Sequence, residues 1–309
     1  MDEPSFGKPI RQGFDEIAAD YAATRTSTRC RETREFVRWI HPRRRGCVLD
    51  AACGPATLAR GFIRKVRRVC AVDVSARMLR LTPRPTGSGA QLLLTVGNVE
   101  QLPYASKSFQ LVTCAYAFAN FPDPLKVLRE FIRVIDDKGR IAVLDVIAPE
   151  HPVHRSRLNL IEGLRSHYYT RILDRSQFTE LFRVAGLRLE SSEFHHRYQN
   201  WREWLRLSPA AADPEHARRL RETLLQSLEQ GGTGLITRRE DGEIVFCYET
   251  AWFLLRRARE TSRTGSVGQL LRRGRRRIGP STGSSLSKGT CVLSSAVGKN
   301  RSRPQGGDK

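Results

Sequence analysis

The chain has 309 residues, 39% of them hydrophobic, and a formal net charge of +21. That length allows one large domain or two small ones, with enough apolar material for a core. The charge by itself suggests a nucleic-acid partner. Two facts weaken that reading: Lys is scarce beside Arg, and residues 261–309, with eleven Lys or Arg and one Asp, contribute +10 of the net +21.

The seven cysteines (30, 47, 53, 70, 114, 247 and 291) form no C-x-x-C pair. Scattered and odd in number, they read as reduced thiols rather than a disulfide framework. No stretch near the start has the apolar core of a secretory leader, and no apolar run reaches the ~20 residues that span a bilayer. A cytoplasmic location is expected.

In chain order, residues 1–45 predict helices, with Thr33, Phe36, Val37 and Ile40 at helical spacing, closed by Pro42 and Gly46. The first strand is expected at 47–51, and a helix with Pro55 in its first turn at 55–65. A second strand (68–72) precedes a short helix (75–81) that Ser75 is placed to cap. Residues 82–89, rich in Pro, Gly and Ser, read as a loop. Strands follow at 91–96 and 109–115, then a helix over 123–134, a turn at 136–139 and a nearly all-apolar strand at 140–146. This alternation predicts a parallel sheet with right-handed crossovers.

Beyond residue 146 the rhythm breaks. Residues 150–175 read as cover, 176–185 as a helix ended by Gly186, 187–194 as a strand, 200–230 as largely helical, and 242–255 as a last strand. The tail 261–309, rich in Ser, Gly and Arg, is expected to be disordered.

The most informative stretch runs from Val48 to Ala59. An apolar run ends in Asp50, a tight small-residue turn follows through Ala52, Cys53 and Gly54, and a helix opens. Asp73 closes the next apolar run, nineteen residues after Gly54. An acid and a small-residue turn at the carboxyl end of a strand is how an open α/β sheet holds a nucleotide-like ligand, and the second carboxylate is suited to the hydroxyls of a ribose.

With Val72–Leu79, Gly97–Tyr104 and Ser108–Val146 (which includes Phe121-Pro122-Asp123-Pro124 and Leu128-Arg129-Glu130), these segments follow in order the motifs of a known family. The chain resembles the class I S-adenosylmethionine-dependent methyltransferases of the type 11 branch, similar to the ubiquinone/menaquinone C-methyltransferases, over roughly residues 10–257. The resemblance implies an α/β, Rossmann-like fold. A mostly parallel seven-stranded sheet carries helices on both faces and a helical cover over the substrate site. It implies an N-terminal helical cover over 1–45 and a methyltransferase domain over 46–257 with helical insertions near 150–175 and 200–230.

The cofactor implied is S-adenosyl-L-methionine, with no metal. The resemblance assigns Asp50 to orienting the loop or the methionine ammonium, and Asp73 to the ribose. Met78 is assigned to packing on the adenine, and the Val99 N–H to an adenine ring nitrogen. Ala115 leaves room for the methionine part and Tyr21 covers the cofactor. Asn98 stands where the family usually has an Asp that contacts the adenine amino group. Of the three glycine positions in the family loop, here Ala52, Gly54 and Ala56, only one is glycine.

Each residue also has a plainer reading: Asp50 and Asp73 as turn or capping acids, Met78 and Tyr21 as packing, Asn98 as a turn residue. The histidines show no metal-ligand spacing, and His151, His154, His167 and His195 fall in the expected substrate cover. Trp201, Trp204 and Trp252 read as core or pocket lining. The implied activity is methyl transfer to a carbon or oxygen of a small-molecule acceptor. Cys114-Ala115-Tyr116-Ala117 replaces the proline motif that supports nitrogen methylation in related enzymes. The alternatives are an RNA methyltransferase using the Arg-rich tail, a less favoured reading, and a non-catalytic cofactor-binding module.

Overall fold

A computed structural model describes residues 7–23, 27–83, 91–166, 170–208, 213–241 and 243–258. All of them fall in one structural unit, Met1–Arg259. The expected tail and most of the loop over 82–89 lie outside the described residues.

Two helices, α1 (Gly7–Ala23) and α2 (Ser27–Ile40), precede the sheet. The first half alternates β1 (Cys47–Ala51), α3 (Thr57–Phe62), β2 (Arg68–Asp73), α4 (Ala76–Arg80), β3 (Gln91–Val96), β4 (Phe109–Ala115), α5 (Pro124–Val134) and β5 (Ile135–Ile147). The second half adds α6 (Pro152–Arg165), α7 (Arg175–Val184), β6 (Leu187–Asn200), α8 (Trp201–Arg206), α9 (Pro214–Glu229), β7 (Ile236–Glu240) and β8 (Glu243–Arg257).

The seven expected strands lie in the order β3-β2-β1-β4-β5-β8-β6, and β7 pairs with β8 as an eighth. β3, β2, β1, β4 and β5 are parallel; β8 is antiparallel to β5, β6 and β7. Between β2 and β4, β1 is buried throughout. Its alternate side chains serve two layers, as the twofold period of a strand requires. Leu49 joins the cluster containing Val112, Phe131 and Phe253, whereas Val48 joins Phe36, Phe62 and Trp252. The strand order reverses between β1 and β4, so the crevice at their carboxyl ends is where such a sheet binds ligands.

Local chemistry fixes several helix starts. Asp123 caps α5 through the Lys126 N–H, with Pro124 in the first turn. Asp174 and Gln177 form a reciprocal capping box at α7. Ser75 caps α4 by accepting from the Met78 N–H at 3.0 Å.

Four expectations are corrected. The helix after β1 starts at Thr57, because Ala56 is left-handed (φ 55°) and Pro55 belongs to the turn before it. The turn at 136–139 is a bulge inside β5: Ile135 already pairs with Phe109, and the register shifts before Leu111 meets Arg140. Asp136 accepts from the Lys138 N–H there and closes the excursion locally. β6 continues past 194 to Asn200 because β8 offers it a partner strand along its whole length. Finally, β7 prolongs the edge of β8 beyond the end of β5. Its exposed, charged sequence carries no apolar alternation to announce a strand. Among the described residues, no helix is long and apolar enough to cross a membrane.

Candidate active site

The turn after β1 is built from three left-handed residues, Ala52 (φ 53°), Gly54 (φ 53°) and Ala56 (φ 55°). These are the three positions where the family loop carries glycine. Alanine holds a left-handed conformation only at a cost, roughly 1–2 kcal/mol per residue. Hydrogen bonds to neighbouring strand ends impose it. The Cys53 N–H donates to the Val72 carbonyl at 3.1 Å, and the Gly54 N–H donates to Asp73 Oδ2 at 2.7 Å.

The two strand-end acids differ in role. Asp50 is buried, accepts from the Ala59 N–H (2.9 Å) and the Thr113 hydroxyl (3.0 Å), and does not line the adjoining cleft. It ties α3 to β1 and β4. Burial lifts its carboxyl to about 7, against the lowering effect of those two donors. Asp73 lines the cleft and accepts from the Gly54 and Ser75 amides, one on each oxygen. Burial raises it too, opposed by those amides. A carboxylate has about four acceptor sites, so lone pairs remain for a diol.

The cleft is open to solvent and spans about 860 Å³. It brings together Tyr21, Ala52, Gly54, Asp73, Met78, Asn98, Val99 and Ala115, every sequence-nominated residue except Asp50. Met78 is buried with Ile17 and Ala18 of α1, and Phe14 and Tyr21 pack beside them. α1 is fastened there by Asp15, which accepts from the Ser75 hydroxyl (2.6 Å) and the Arg77 N–H (3.3 Å). Asn98 Oδ1 accepts from the Glu100 N–H at 2.9 Å, which commits the amide oxygen to its own turn.

A second cavity of about 840 Å³ adjoins the first and shares Phe14, Tyr21, Tyr116 and Asn120 with it. Sequence reasoning missed most of its polar lining. Asp145, at the end of β5, accepts from the Ala117, Phe118 and Val146 amides and fixes the 3-10 turn Phe118–Asn120 after β4. Burial raises its carboxyl to about 6. Glu162 of α6 accepts from Tyr248, from Trp204 Nε1 and from Arg165. The Tyr116 hydroxyl donates to Glu32 of α2, which also accepts from Thr250. Arg197 of β6 lies over the Tyr116 ring at 4.9 Å.

Neither His151, His154 nor His195 lines either cavity, and His167 lies outside the described residues. His195 stacks on Trp252 at 4.0 Å. Trp204 lines the second cavity, whereas Trp252 is core. The Cys53 thiol is pushed well up by burial and by Asp73 and Asp50, the opposite of the shift that activates a nucleophilic thiol. Among the described residues no cluster is suited to a metal ion.

Residues 49–143, from β1 into β5, match a family profile described as "Methyltransferase domain". Over that segment the chain carries a methyltransferase domain similar to those of the class I S-adenosylmethionine-dependent methyltransferases of the type 11 branch. It is 28% identical over 170 residues to the uncharacterised methyltransferase YcgJ of Bacillus subtilis, covering 54% of this chain and 67% of that protein. It is 33% identical over 117 residues to the demethylmenaquinone methyltransferase of Thermotoga maritima, covering 37% of this chain and 48% of that protein. The chain thus spans about half the length of that methyltransferase.

The crystal structure of YcgJ superposes with a TM-score of 0.65 at 20% identity, covering 74% of this chain and 99% of that one. The [4+2]-cyclase SpnF gives 0.58 at 16% identity, covering 84% and 98%. At these identities the likeness is one of fold, and with a cyclase among the similar structures the fold alone does not fix a reaction.

Proposed function

We propose that this chain binds S-adenosylmethionine in the first cleft and transfers its methyl group to a carbon or oxygen of a small-molecule acceptor held in the second cavity. The observation that carries this reading is the junction: four residues line both cavities, so a ligand in one faces a ligand in the other.

The residues present fit the cofactor. Asp73 is the ribose acceptor, with its carboxylate held rigid by two backbone amides. Met78, Val74 and Val99 form apolar walls suited to the flat adenine. Gly97 leaves no room for a side chain: a Cβ there meets Val72 Cγ2 at 3.0 Å. Ala115 and Ala117 line the end of the cleft nearest β4 with small side chains. When bound, the cofactor supplies a sulfonium-activated methyl group. The protein's task is then alignment and exclusion of water, and alignment alone contributes about 7–11 kcal/mol to such reactions. Phe14 and Tyr21 of α1 roof the junction, and Tyr116, fixed by Glu32, walls it.

Isothermal titration of the full chain with S-adenosylhomocysteine tests cofactor binding. Incubation with cell extract and a radiolabelled methyl donor tests transfer. Saturable binding and a labelled small product support the proposal; no binding rejects it. Binding without turnover over a broad acceptor panel leaves a non-catalytic cofactor-binding module.

A further inference from the structure

Among the described residues, the second cavity contains a guanidinium with no carboxylate partner. Each acid that lines it has its own donors: Glu162 has Arg165, Tyr248 and Trp204, and Asp145 has three backbone amides. Arg165 is paired with Glu162. Arg197 is the exception. Among the described residues, no carboxylate lies within ion-pair distance of its guanidinium, and its contact is with the face of the Tyr116 ring. Burial acts on its charge first, then Tyr116 and Glu32, and the Glu32 carboxylate already accepts from Tyr116 and Thr250.

β6 pairs Arg197 with Tyr248 of β8, and Gln199 two residues on is buried in the same cavity wall. A partly buried guanidinium with its planar fork uncommitted is a receptor for a carboxylate, which it engages through two parallel hydrogen bonds. The remaining walls, Phe14, Trp204 and Leu207, suit an apolar body. Beyond Tyr116 the cavity opens toward the cofactor cleft.

We infer that the methyl acceptor is a monocarboxylate with an apolar body, its carboxylate held by Arg197 beside the Tyr116 ring. One uncommitted cation matches one negative charge. A phosphate dianion brings a second charge that meets the carboxylates of Glu162 and Asp145. The inference rests on the proposed methyltransferase reading and names the acceptor class for the same site.

The test is calorimetric, on the full chain, with benzoate, its neutral isostere benzamide, and phenyl phosphate as probes, each with and without S-adenosylhomocysteine. Benzoate is expected to bind at least about tenfold more tightly than benzamide, the size of one charge-assisted bidentate contact. Arg197→Gln is expected to level the two, and Arg197→Lys to retain part of the preference. Equal binding of benzoate and benzamide by the unmodified chain, or no measurable benzoate binding, overturns the inference whether or not either variant folds. So does a preference that survives in a folded R197Q. Tighter binding of phenyl phosphate than of benzoate overturns the monocarboxylate assignment. S-adenosylhomocysteine binding in the same titrations is read separately: its loss rejects the methyltransferase reading, whereas its retention without acid preference rejects only this one.

Discussion

Asp50→Asn separates two roles that the resemblance leaves open for Asp50. In the structure its carboxylate faces the Ala59 amide and the Thr113 hydroxyl, away from the cleft lining. Asparagine is the neutral isostere of the protonated acid. Its oxygen keeps the Ala59 bond, its amide donates to the Thr113 oxygen, and the Thr113 hydroxyl keeps the Leu49 carbonyl, now 3.3 Å away. Burial lifts the folded carboxyl from 3.8 to about 7. Between those values the unfolded chain has released its proton while the folded chain retains it. Stability therefore falls as pH rises through that window, by about 1.4 kcal/mol per pH step and by up to about 4 kcal/mol in all.

The variant lacks this term. Urea unfolding at pH 4, 6 and 8 should show it close to the unmodified chain at pH 4 and increasingly more stable above that. Its affinity for S-adenosylhomocysteine should stay within about threefold, because no charge-assisted contact, worth about 1.5–3 kcal/mol, is removed. Parallel pH profiles for the two proteins would refute the burial argument. A loss of affinity beyond about tenfold would place Asp50 on the methionine ammonium instead.

Asp73→Ala strips the acceptor from the Gly54 and Ser75 amides as well as from the ribose. Thermal unfolding should show a loss of about 1–3 kcal/mol, and titration a loss of cofactor affinity of about tenfold or more; unchanged affinity would exclude the ribose role. Ala52→Gly relieves a left-handed alanine. After subtracting the extra freedom of glycine in the unfolded chain, the gain in urea stability should be about 0.5–1 kcal/mol, and a decrease would contradict the strain argument. Asn98→Asp keeps one oxygen on the Glu100 amide and frees the other to accept from the adenine amino group. Titration should show several-fold tighter binding, whereas weaker binding would mean that the present amide donates to the ring.

The first cleft was legible in the sequence because its determinants are local. An acid at a strand end, a turn of small residues and a second acid one crossover later lie within 24 residues, from Asp50 to Asp73. β1 and β2 then align them in parallel register. Even there, the sequence did not separate the two acids: only the packing of Ala59 and Thr113 turns Asp50 away from the cleft. The alanines at positions 52 and 56 were visible as departures, but that all three turn positions are left-handed is a property of the backbone.

The second cavity was not legible, because its residues are distant in the chain and individually ordinary. Glu32 meets Tyr116 and Thr250, and Glu162 meets Tyr248, across 84, 218 and 86 positions. Arg197 enters the cavity through an antiparallel register with β8 that no periodicity of β6 announces. Strand ends and turns are written in neighbouring residues, whose sterics and hydrogen bonds act at short range. A cavity wall is assembled by sheet order and helix packing, and its unpaired charge exists only once those distant partners have been placed.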